Sequence, residues 1–419
     1  AVYGRLGYNI NKRYYINLTG RRDGSTRFGP GKQFANFGAI GTAWIFSEEP
    51  WVKSHIPYLS FGKIRGSYGT TGNDQIGDYG FLSTYSPITQ PFNFRGNGGL
   101  YPTRLANPDY GWEINKKMEL ALETGFLRDY VLFSLNWYRN RSSNQLVGYR
   151  LPYITGFNTM QANLPATVQN TGWEIQLSST HLQNQNFTWS TKANLTIPKN
   201  KLLDFPNIEA TAYGNAFEIG KPLNIQKLYQ YQEIDPNTGL YTVLDANGDG
   251  LYNHEDQIAI IDMGRKYFGG LQNTISHKRL QLDFLLEFVK QKGTGLLGDL
   301  IPGYLGNQPE DVMDRWRSIG DETNIQMFTQ SNYTPYYLAR SSSLNITDAS
   351  FIRLKNVSLS YSFGADILEK LNLGHFGISL QAQNLLTWTN YFGLDPQSPD
   401  SLYNLPALRT ITASIQLQF

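Results

Sequence analysis

A run of twelve residues in the middle of the chain has the types and spacing of a cation site. Asp245-Ala246-Asn247-Gly248-Asp249-Gly250-Leu251-Tyr252-Asn253-His254-Glu255-Asp256 places side-chain oxygens at positions 1, 3 and 5, a glycine at 6 and a carboxylate at 12. A calcium loop of the EF type needs that pattern: the glycine permits the sharp turn, and position 7 supplies a backbone carbonyl. The expected calcium ligands are Asp245, Asn247, Asp249, Leu251 through its carbonyl, and Asp256, with Asn253 reaching the ion through water. Asp256 stands where a helical loop of this type has Glu, so bidentate coordination is not implied. A metal-free turn rich in Asx and glycine is the competing reading. In either case the expected role is to brace a long loop, not to catalyse.

Other chemistry is hard to find. His55, His181, His254, His277 and His375 are scattered and lack the helical spacing of a zinc protease. There is no phosphate-binding loop or dinucleotide fingerprint, and Gly66-Ser67-Tyr68-Gly69 has the wrong spacing for a nucleophile elbow. Cysteine is absent, which removes disulfides and thiolate chemistry. With a net charge of +2 and dispersed basic residues, a nucleic-acid partner is not expected either. No enzyme is implied. Aromatic residues are abundant in the presumed loops, among them Tyr79, Tyr85, Phe92, Phe94, Tyr153 and Tyr336, where flat rings serve ligand contact or loop packing.

The elements that must carry these residues read as strands. The chain has 40 Gly, 27 Tyr, 23 Phe and 8 Trp in 419 residues, a composition that favours strands and turns over helices. No stretch approaches the roughly 18 apolar residues of a membrane-crossing helix. Period-two alternation is clear instead. Ile411, Ala413, Ile415, Leu417 and Phe419 are apolar, while Thr410, Thr412, Ser414, Gln416 and Gln418 are polar. Leu280, Leu282, Phe284, Leu286 and Phe288 likewise oppose Gln281, Asp283 and Glu287. Such runs put one set of side chains on each face. About thirteen strands are expected, several of about ten residues or more, which is longer than sandwich strands usually are. Tight turns such as Asn11-Lys12, Arg128-Asp129 and Arg279 alternate with long connections at 24–33, 73–111, 143–168, 200–265, 293–349 and 388–406. Short periplasmic turns and long extracellular loops of a transmembrane antiparallel β-barrel produce that alternation. Trp44, Tyr68, Trp137 and Trp388 near strand ends fit its interfacial girdles.

Several motifs, in order along the chain, resemble the C-terminal portion of the SusC/RagA family of TonB-linked outer-membrane proteins. They are Tyr3-Gly4-Arg5-Leu6-Gly7-Tyr8 and Arg22 to Phe28, Lys63 to Gly72, Asn107-Pro108 with Trp112-Glu113, Asn170 to Glu174, Phe351 to Tyr361, Gln383 to Thr387, and Gly393-Leu394-Asp395-Pro396. The resemblance implies that residues 1–419 are the C-terminal part of a 22-stranded barrel, with the plug domain, the TonB segment and the N-terminal strands outside this chain. It implies the outer membrane of a Gram-negative bacterium, a SusD-like surface lipoprotein as lid, TonB as the energy-coupling partner, and oligosaccharide or peptide nutrients as cargo. Two other readings stay open: a SusC-like barrel serving as scaffold in a surface complex, and a soluble, calcium-braced glycan-binding protein.

Overall fold

Period-two alternation becomes one sheet of 13 strands, hydrogen-bonded in chain order. The computed structural model is described for residues 1–88, 98–295, 297, 301–304, 306–401 and 404–419. The strands are β1 (Val2–Ile10), β2 (Tyr14–Gly24), β3 (Phe34–Trp44), β4 (Leu59–Asn73), β5 (Glu113–Phe126), β6 (Val131–Arg150), β7 (Thr159–Gln183), β8 (Phe187–Asp204), β9 (Tyr267–His277), β10 (Leu280–Lys290), β11 (Phe351–Ser362), β12 (His375–Thr389) and β13 (Thr410–Gln418). Each covers a position where the alternation places a strand, and β6 and β7 run on beyond it. No helix among the described residues is long and apolar enough to cross a membrane.

Register carries the two faces from strand to strand. Leu282 opposes Leu359, Leu359 opposes Leu380 and Leu380 opposes Ala413; one residue along, Asp283, Ser358, Gln381 and Thr412 form the matching polar row. A slip of one residue would exchange the two rows, so the pattern itself fixes the pairing. Lys355 is skipped in the pairing of β11 with both neighbours, a bulge that adds one residue without mixing the faces.

The tight turns follow local chemistry. Asn11 and Lys12 both have positive φ, as the central pair of a type I′ turn requires, and the Arg13 amide closes that turn on the Ile10 carbonyl (3.0 Å). Between β3 and β4 two short helical turns, Phe46–Glu48 and Pro50–His55, surround Glu49. Its buried carboxylate accepts hydrogen bonds from the Tyr14 hydroxyl (2.6 Å), Trp44 Nε1 (3.1 Å) and Arg13 Nη1 (3.2 Å). These donors, the Tyr14 hydroxyl foremost, hold the Glu49 carboxyl below the usual carboxylate range.

One expected loop is not a loop. Residues 143–168 are mostly strand, because β6 runs on to Arg150, β7 begins at Thr159, and only 151–158 connect them. The extension is held by packing: Leu164, Ala166 and Val168 on β7 are buried against Leu202, Phe205 and Ile208. Those partners are distant in sequence, and Pro165 interrupts the strand-like composition, so local alternation does not reveal the continuation. Three of the other long connections hold small ladders of their own, Thr84–Pro87 with Leu100–Arg104, Ile225–Leu228 with Ala259–Asp262, Tyr231–Ile234 with Tyr241–Val243, and Lys292–Thr294 with Ile346–Asp348.

The chain divides into two compact units, Ala1–Ile175 with Pro198–Leu223, and Gln176–Ile197 with Asn224–Phe419. In each, the buried core lies among the long connections and the strand ends that lead into them. The first unit buries Phe28 and Tyr110 beside Trp112 as well as the Leu164 cluster. The second buries Tyr241, Leu297, Ile301, Tyr336 and Ala339 together.

Candidate functional site

The twelve-residue loop is clamped at its base. Ile225–Leu228 pairs with Ala259–Asp262, and the Leu244 amide donates to the Gln230 carbonyl (2.9 Å). Within it, Asp245 accepts from the amides of Gly248 and Gly250 (both 2.8 Å), Asn247 Oδ1 from that of Asp249 (3.1 Å) and Asp249 Oδ1 from that of Leu251 (2.7 Å). Gly248 and Gly250 have φ of 75° and 78°, a left-handed conformation that lets successive amides turn toward these oxygens. Asp256 sits beneath, with no exposed surface, and its two oxygens accept from the amides of Ala246 (2.9 Å) and Asn253 (3.0 Å). The Asn253 amide, ahead of the others, draws the Asp256 carboxyl below the ordinary carboxylate range.

The five expected ligands thus share one loop but not one environment. Asp245 is half-buried, Asn247 and Asp249 are exposed, and all three keep unused lone pairs, whereas Asp256 staples the loop shut. Asn253 caps the short helical turn His254–Asp256, and Asn247 Nδ2 donates to Asp249 and Glu255 (both 3.2 Å). Among the described residues, no three His, Asp or Glu side chains form a metal-holding group. A cation here would draw on Asn247 and the Leu251 carbonyl as well as on carboxylates.

The polar face of the sheet holds the larger assembly of charges. Arg65 on β4 reaches Glu119 (2.6 Å) and Glu123 (2.9 Å) on β5, and Lys63 also reaches Glu123 (3.2 Å). Farther along that face of the same unit, Asn136 Nδ2 donates to Glu174 (3.1 Å). In the second unit Lys355 pairs with Glu287 (2.7 Å), and the Thr274 hydroxyl donates to Asp283 (2.6 Å). The opposite face is apolar and open: Ile64 is 45% exposed, Leu380 48% and Ile415 70%. A water-soluble protein hides such rows. The common parity of Lys63, Arg65, Glu119 and Glu123 was readable in the sequence, although which charges meet was not.

A buried ion pair was not foreseen. Arg353 Nη2 meets Asp395 Oδ1 at 2.6 Å, with side chains 3% and 5% exposed, and Arg353 also donates to Thr387 and Gln397. Gln291 Nε2 donates to the Pro396 carbonyl (2.5 Å), fastening the connection after β12 to the end of β10. The loop aromatics divide. Tyr336 is buried, donating its hydroxyl to the Leu297 carbonyl (2.6 Å), while Tyr79, Tyr85 and Tyr153 are exposed at 62%, 59% and 87%. Phe92 and Phe94 lie outside the described residues.

No protein-family model matches the chain. Curated relatives do, along all of it. A TonB-dependent receptor of Formosa agariphila, P26, is 27% identical and covers 100% of the chain, which spans 46% of that relative. The TonB-dependent receptor SusC of Bacteroides thetaiotaomicron is 24% identical over 100% of the chain and 43% of its own length. The solved RagAB peptide transporter superimposes with a TM-score of 0.84 at 25% identity, over 100% of this chain and 47% of that one. Along its whole length the chain is similar to TonB-dependent receptors, SusC among them, and it shares the fold of RagAB. It spans a little under half the length of the relatives it matches. Its sheet is part of a transmembrane barrel in the outer membrane of a Gram-negative bacterium, and the relatives it matches are receptors, not enzymes. Its apolar face therefore meets lipid and its polar face the lumen. In such barrels the longer set of connections is the extracellular one, and here that set follows β2, β4, β6, β8, β10 and β12.

Proposed function

We propose that the protein containing this chain imports nutrients across the outer membrane with energy delivered through TonB, its cargo an oligosaccharide or a peptide. The observation that carries this reading is the two-sided wall: apolar rows outward, and inward a ladder of paired charges from Lys63 to Glu123 and from Glu287 to Lys355 that needs water. Such a wall separates lipid from an aqueous passage. The names of the relatives, receptors and a peptide transporter, support the rest. A SusD-like surface lipoprotein would sit over the long connections. Deleting the gene is expected to abolish growth on one polymeric nutrient and to leave growth on its monomers intact. A general defect in surface assembly with uptake unchanged would favour the scaffold reading instead.

Within that protein, the loop from Asp245 to Asp256 would hold one calcium ion. Asp245, Asn247, Asp249 and the Leu251 carbonyl would supply oxygens, with Asp256 fixing the loop from below. Replacing Asp245 and Asp249 together by Asn should remove a calcium-dependent rise in melting temperature. No such rise in the unaltered protein would refute the site.

A further inference from the structure

Four sheet strands end together around a notch of about 530 Å³ on the apolar face of the second unit. It is lined by Tyr267 where β9 begins, Phe288 and Lys290 where β10 ends, Ile352 where β11 begins and Trp388 where β12 ends. Phe288 pairs with Ile352 and Ile352 with Trp388, so the three share one face. The Phe288 ring lies across Gly269, where a Cβ would come within 2.6 Å of it, and stands 6.5 Å from the Tyr267 ring. Ile352 and Trp388 are 48% and 52% exposed. All four strand ends lead to extracellular connections, which places the notch at the outer boundary of the membrane.

Its upper rim is polar. Asp348 faces Lys290 across the notch, and its charge is already engaged: Oδ2 accepts from Lys290 Nζ (2.6 Å), and Oδ1 accepts from the Ser350 amide (2.9 Å) and hydroxyl. The Lys290 ammonium has three protons and a side chain 44% exposed, so it keeps donors to spare. No other cationic side chain lines the notch among the described residues. Apolar walls below an ammonium that keeps donors beyond its bond to Asp348 match an amphiphile with an acyl chain and an anionic head.

We propose that the notch binds a lipid of the outer leaflet, one acyl chain lying against Phe288, Ile352 and Trp388 and a headgroup phosphate resting on Lys290. The site is independent of cargo and of calcium. It is tested with the full-length protein in phosphatidylcholine nanodiscs containing either lipid A or its dephosphorylated form, counting retained lipid by native mass spectrometry. Retention of the phosphorylated form is expected to exceed that of the other by about tenfold. Lys290→Gln should erase that preference, and Trp388→Ala should weaken retention of both forms alike. Lys278→Gln, at the opposite end of the wall, should change nothing. Brominated acyl chains should quench a fluorescence component that Trp388→Phe removes. The proposal fails if the unaltered protein retains both lipids equally, if Lys290→Gln keeps the preference, or if Lys278→Gln erases it as well.

Discussion

Arg353 and Asp395 illustrate how two distant motifs become one interaction. A charge pair almost without exposure is held by its own geometry, by Thr387 and Gln397 around it, and by the Phe351 ring 5.1 Å from the guanidinium. Arg353→Met would strand the Asp395 carboxylate, and losing one partner of such a pair costs about 3–5 kcal/mol. The double change to Met and Leu should recover much of that loss. Chemical unfolding of the detergent-solubilised protein measures both, and equal losses in the single and double variants would contradict the pairing. Asp256 predicts a pH effect. Its folded-state pKa lies below that of the unfolded chain, so its contribution to loop stability is complete above the unfolded value and is lost as pH falls through the folded one. Protease cleavage within 244–258 should rise in acid, and Asp256→Asn should be cleaved readily at neutral pH. A cleavage rate flat in pH would count against the staple. The acidic loop was legible because its groups are contiguous in sequence. The Arg353 pair was not, since 41 residues of chain separate partners that meet only when the connection after β12 folds back.

Among the elements, a strand's two faces respond differently to the same residue. Leu380 and Gln381 are neighbours near the middle of β12, the first in the apolar row and the second in the polar one. Leu380→Arg is expected to destabilise by about 2–4 kcal/mol, as arginine does toward the lipid midplane, while Gln381→Arg should be nearly neutral. Unfolding titrations in lipid vesicles distinguish them, and equal effects would remove the assignment of faces. Gly29 makes a sharper case for connections. A Cβ there would lie 2.2 Å from the Pro108 carbonyl oxygen, and the Gly29 amide donates to the Tyr110 carbonyl. Gly29→Ala should therefore pry apart the segments around Phe28 and Tyr110, at about 1–3 kcal/mol of overpacking. A melting temperature unchanged by that methyl would be the contrary result. All thirteen sheet strands were legible because alternation is local. The length of β6 and β7 was not, because Leu164, Ala166 and Val168 are committed to strand by residues beyond 200.

For the whole molecule the deciding property is where its apolar surface faces. The buried cores lie among the long connections, as the cluster around Tyr336 shows, and at the strand ends leading into them, as the cluster around Leu164 shows, whereas the strands elsewhere leave their apolar rows open along the sheet. Exposed rows of this extent are costly in water and favourable in hydrocarbon, and the roughly 25 cal/mol per Å² attached to apolar area makes the preference for lipid large when many residues act together. The charged rows on the other face do not relieve the problem, since a sheet presents both faces at once. Full-length protein stripped of detergent, with no lipid or amphipathic polymer in its place, is therefore expected to aggregate, and light scattering follows the process directly. Raising salt should not prevent it, because the driving surface carries no charge to screen. A monodisperse species in detergent-free buffer would overturn the lipid-facing assignment and restore the soluble reading that composition alone had left open.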